Sequence, residues 1–91
     1  AGVARFPALG EVVYASKGRG AFWQIGSDSP RPARVRPTSR LADALFCFTS
    51  VGGWDAIGRG DVFTALARRV RLTRGWGDCY GYLLVATGRA D

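Results

Sequence analysis

Apolar residues fall along this chain in short runs divided by glycine and proline, not in one long periodic block. "EVVY" (11–14), entered from Gly10, reads as a strand, and "SKGRG" (16–20) as the turn after it. "AFWQI" (21–25) is a second run rich in β-favouring residues, closed by Gly26. A third strand spans 44–50. Its centre, "LFCF" (45–48), is as apolar as any buried strand, yet it ends in two hydroxyls, Thr49 and Ser50. "VGGWDAIGRGD" (51–61) is turn-rich, with room for one helical turn around 54–57. Val62, Leu66 and Val70 then recur at i, i+4 and i+8 and predict a helix over 62–72, with Asp61 as its N-cap. Arginines gather at the end of that helix, where they complement its dipole, and Gly75 and Gly77 stop it. "DCYGYLLVAT" (78–87) reads as the last strand.

The stretch "GSDSPRPARVRPTSR" (26–40) differs in kind, holding three prolines, three serines and four arginines with almost nothing to bury. It predicts an extended or mobile basic loop, since each proline turns the residue before it away from the α region. The order is therefore β-β-loop-β-α-β. This is an α+β chain with a small mixed or antiparallel sheet and one packed helix. Residues 1–91 are expected to form a single small domain or a fragment of a larger one. A core-like last strand so near Asp91 calls for neighbours, either the rest of a longer chain or another protein chain.

Composition narrows the function more by exclusion than by motif. Eleven aromatics supply the burial that disordered chains lack. No apolar run is long enough to span a bilayer, and no signal-peptide pattern opens the chain. The first residue is Ala1, not Met, so upstream processing or fragmentation is expected. Histidine is absent, which removes Ser-His-Asp and Cys-His nucleophile systems and His-ligated zinc. Cys47 and Cys79 form no metal-ligand cluster, and no metal is expected. They read equally as a disulfide or as two buried thiols.

The net charge of +6 sits mainly in the first half, where seven basic residues face only Glu11 and Asp28. Arg31, Arg34, Arg36 and Arg40, near Phe22 and Trp23, are the candidates for contact with phosphate or nucleic acid. A solvated basic loop beside core aromatics explains the same residues. Trp54 and Trp76 stand in glycine-flanked turns, where tryptophan folds back over a core or a ligand.

Read together, "EVVYAS" (11–16), "LFCFTS" (45–50), the helix at 62–72 and "YGYLLVAT" (80–87) resemble the middle of the pertussis- and cholera-type ADP-ribosyltransferase toxins. The resemblance implies a split two-sheet core with NAD in the cleft, and a secreted bacterial protein. Thr49 and Ser50 would match the last two positions of the family's S-T-S segment and, with Trp54, shape the cofactor site. Ala15 stands where the family has its NAD-holding arginine, and Phe48 where it has the first serine. Transferase activity is therefore not carried over to these residues, and no catalytic residue is assigned. Two other readings stand beside this one: a histidine-free basic toxin or regulator acting on nucleic acid, and a non-enzymatic interaction domain.

Overall fold

Two unlike halves share the chain in the computed structural model, which describes all residues 1–91. The first half is an antiparallel meander in the order β1 (Gly2–Phe6), β2 (Glu11–Ser16), β3 (Gly20–Ile25), β4 (Arg31–Pro32). Tight links make it. A 3-10 turn at Pro7–Leu9 ends on Gly10 at φ +64°, and the β2–β3 hairpin turns through Gly18 at φ +78°. The register sets Tyr14 opposite Phe22, and their rings stack 5.9 Å apart.

The second half is an α/β unit. β5 (Leu45–Phe48) leads into α1 (Val51–Ala56) and α2 (Gly60–Arg69), and the chain returns as β6 (Leu72–Gly75). β5 and β6 pair in parallel from Leu45 opposite Leu72 to Phe48 opposite Gly75, with the two helices as the crossover that a parallel pair requires. Phe46, Phe48, Trp54 and Phe63 pack beneath it, with ring centroids 5.0–6.2 Å apart. α3 (Tyr80–Ala86) follows.

The α+β class holds, with a four-stranded antiparallel sheet, a two-stranded parallel sheet and three helices where one was expected. The largest correction is at 78–87, which forms a turn and α3, not a strand. Alternation would send Leu83 and Leu84 to opposite faces. On a helix they share one face, and both are buried, while Tyr82 points to solvent. α2 starts two residues earlier than predicted, with Arg59 at its N-cap and Asp61 in its first turn, and gives way to β6 at Leu72. The strand β1 had no counterpart in the sequence reading.

The halves meet at a few points. Arg89, just beyond α3, grips the buried carboxylate of Glu11 with both terminal nitrogens, at 2.6 and 3.2 Å. The same guanidinium lies 4.8 Å over the Trp23 ring. Phe6 meets Tyr80 edge to face at 5.8 Å. The basic segment 26–40 carries the short strand β4 and is fastened down. Ala33 N–H donates to the Ala21 carbonyl at 2.8 Å, the Arg34 carbonyl lies against Gly88, and Arg36 pairs with Asp91.

Only Ala44, Leu83, Leu84, Ala90 and Glu11 are buried. The radius of gyration is 14.9 Å, against about 12 Å for a compact domain of this length. The core is thin for the chain it serves.

Candidate functional site

A cavity of about 690 Å³ opens where the carboxyl ends of β5 and β6 meet α1 and the start of α3. In open α/β sheets this is where ligands bind, because the loops leaving parallel strands diverge there and leave a crevice. Phe46, Phe48, Trp54, Trp76, Tyr82 and Val85 give it apolar walls. Its polar groups are few: Thr49, Ser50, Asp78 and, at the far side, Asp91. No lysine or arginine lines it.

The three residues expected to shape a cofactor pocket, Thr49, Ser50 and Trp54, all stand on this cavity. Their duties differ. The Ser50 hydroxyl caps α1, accepting the Gly53 N–H at 3.0 Å, and the close fit of that turn leaves Gly53 little room for a side chain. Trp54 belongs to the aromatic cluster and turns an edge toward Phe46 at 6.2 Å. It covers the core and walls the cavity at once. Thr49 is exposed at the strand end.

The four arginines proposed for phosphate contact do not converge on the cavity. Arg31 pairs with Asp28 at 3.6 Å and lies 4.5 Å over Trp23. Arg36 pairs with Asp91, and Arg40 with Asp43 at 3.7 Å. Arg34 is exposed, with its carbonyl turned to Gly88.

Asp91 closes this corner. Its carboxylate accepts the Leu45 N–H at 2.8 Å, and its own N–H donates to the Leu45 carbonyl at 3.1 Å. The bond from Leu45, with Thr38 and then Arg36 adding to it, holds the Asp91 carboxyl down at about 2. Cys47 and Cys79 are free thiols. Cys47 lines the cavity, half-buried, and burial pushes its thiol up. Cys79 is exposed at the head of α3.

Sequence reading missed Asp78, Trp76 and Tyr82 as one group, because a strand over 78–87 scatters them. The available signal was the "GWGD" turn ahead of adjacent leucines, which suits a helix start. Asp78 is the only non-glycine residue with positive φ, at 51°. That left-handed conformation is one aspartate tolerates and most side chains do not.

No protein-family model matches the chain. It is 39% identical over 90 residues to a histidinol-phosphatase of Streptomyces coelicolor, covering 99% of this chain and 34% of that protein. A Mycobacterium tuberculosis histidinol-phosphatase is 36% identical over 90 residues, with 35% of its length covered. The chain spans about a third of these relatives. An inositol monophosphatase from Zymomonas mobilis superposes with a TM-score of 0.61 at 24% identity, over 78% of this chain and 29% of that one. That likeness shows the fold.

These matches overturn the resemblance to ADP-ribosyltransferase toxins, and with it the expected NAD site. The physical reason is local. The segment likened to the toxins' last strand is α3, and the likened T-S pair opens a helix by capping it. The nucleic-acid toxin and interaction-domain readings give way to the same finding. The expectation of no metal is withdrawn with it. No helix is long and apolar enough to cross a membrane.

Proposed function

We propose that this chain is part of a phosphomonoesterase of the histidinol-phosphatase kind, acting on a small phosphorylated alcohol. Its contribution is one wall of the substrate site, formed by the cavity at the carboxyl ends of β5 and β6. The observation that carries the reading is sequence identity of 36–39% running through 99% of the chain. The thin core and elongated shape support a partner that completes the fold, namely the remainder of such an enzyme.

A metal ion would not be held here. No three His, Cys, Asp or Glu side chains come together in the chain, so the ligands of a catalytic ion would stand outside residues 1–91. The phosphate end of the substrate belongs with those ligands. The residues present bind the alcohol part and exclude water from it by their apolar walls.

The test is a chimera in which residues 1–91 replace the aligned 90 residues of the Streptomyces coelicolor enzyme. Phosphate release from L-histidinol phosphate, within about tenfold of the parent, is the expected result. A chimera with the parent's circular dichroism and oligomeric state but no phosphatase activity would overturn the reading.

A further inference from the structure

A second hollow, of about 340 Å³, lies where the two halves of the chain meet. Residues 5–9, at the end of β1 and through the 3-10 turn, form one side of it, and Tyr80 at the head of α3 forms the other. It shares no lining residue with the cavity at the ends of β5 and β6. We infer that this hollow is a separate binding site for a small carboxylate with an aromatic or aliphatic body. The Arg5 guanidinium meets the carboxylate, while Phe6, Leu9 and Tyr80 cover the body. The claim goes beyond the phosphatase reading and does not rest on it.

Three observations carry it. The first is charge. Arg5 is the only charged residue on the lining, and it has no ion-pair partner, whereas Arg31, Arg36, Arg40 and Arg89 are each paired. A cation is repelled there and an anion attracted, and a guanidinium receives a carboxylate through two parallel N–H bonds. The second is the walls. Every other lining residue is apolar or aromatic, and Leu9 is 49% exposed. A bare inorganic anion would leave that surface in water, whereas an apolar body covers it.

The third is that the hollow is already built. The Gly10 N–H donates to the Pro7 carbonyl at 3.1 Å and closes the turn. Across from it, the Tyr80 ring is wedged edge to face between Phe6 at 5.8 Å and Trp76 at 5.1 Å. A ligand therefore meets walls in place and loses little affinity to ordering them. The volume stands at the small end of ligand sites, which run from about 300 Å³ upward.

The experiment is saturation-transfer NMR on the whole protein that carries these residues. Phenylacetate is the probe, and phenylacetamide is its uncharged counterpart. Arg5 is exposed on the edge strand β1, so Arg5→Gln removes the charge without breaking an ion pair of the fold. The expected result is saturable transfer to the phenylacetate ring, with the apparent Kd raised about fivefold in Arg5→Gln, as loss of one exposed charge pair implies. Phenylacetamide should bind the parent protein more weakly by a similar factor. The proposal is overturned by an absence of saturable transfer from phenylacetate, by the same Kd in Arg5→Gln, or by equal binding of the amide. Binding is read here without turnover, so either result stands whether or not the chimera releases phosphate.

Discussion

Gly88 joins two constraints that can be separated by mutation. It sits at φ +72°, in the turn after α3, and a Cβ built there would lie 2.9 Å from the Arg34 carbonyl oxygen and 3.4 Å from Arg36 Cγ. The first contact is with backbone and cannot swing away. For Gly88→Ala, the left-handed conformation costs roughly 1–2 kcal/mol, and the crowding adds about 1–3 kcal/mol. Gly18 provides the control, because it has φ +78° and nothing within 4 Å of its would-be Cβ. Gly18→Ala carries the conformational cost alone, and the unfolded-state gain on replacing glycine is common to both variants and cancels. Melting temperatures followed by circular dichroism should fall in both. For a domain of this size the fall is about 5 °C in Gly18→Ala and about 10–25 °C in Gly88→Ala. If the two variants melt within a degree or two of one another, segment 33–36 does not press on the α3 turn and the account of the fastened basic loop is wrong.

Other outcomes follow from contacts at the junction and the cavity rim. Arg89→Ala leaves the buried Glu11 carboxylate without its partner and should lower the unfolding free energy in urea by about 3 kcal/mol. Arg89→Lys keeps the charge but loses the fork and the flat stack on Trp23, so it should recover less than half of that. Because the folded Asp91 carboxyl is held at about 2, below its ordinary value of 3.8, its contribution is complete above about pH 4 and drains away as pH falls through 2. The stability gap between the parent chain and Asp91→Asn, measured by thermal melts, should therefore be steady at neutral pH and narrow across that acid window. A thiol-reactive dye at pH 7.5 should titrate Cys79 in a fast phase, absent in Cys79→Ser, and Cys47 in a slow one.

β2 and β3 of the meander were legible because glycine punctuation and β-favouring runs coincide there. Gly10, Gly18 and Gly26 all adopt positive φ where the turns require it. α2 was legible from its i, i+4 spacing, although its cap was misplaced by two residues. α3 was not. Tyr80, Tyr82 and Val85 favour strands, and only the tertiary burial of Leu83 and Leu84 together reveals the helical face. β6 was hidden because Val70, the third member of the i, i+4, i+8 series, carries the helical pattern past the end of α2, and what breaks the helix is pairing with β5, a contact 27 residues back along the chain. Thr49, Ser50 and Trp54 were singled out by the strand end and the turn after it, and the structure sets them on the cavity wall. Asp78 was lost with the misread strand, and the four arginines of the loop drew attention by composition, whereas Arg31 and Arg40 pair with aspartates three residues away and Arg36 with distant Asp91.

The two sheets also differ in how far the chain must travel to close them. Each strand of the meander meets the next across a short turn, so its contacts can form by local zipping. β5 and β6 are separated by both crossover helices, and their pairing must wait for a loop of more than twenty residues to close. Folding is thus ordered by topology. The meander arrives first and presents Glu11 and Trp23. Only when the parallel pair has formed and α3 has docked does Arg89 reach them, making that one side chain the last clasp between an early-folding half and a late one.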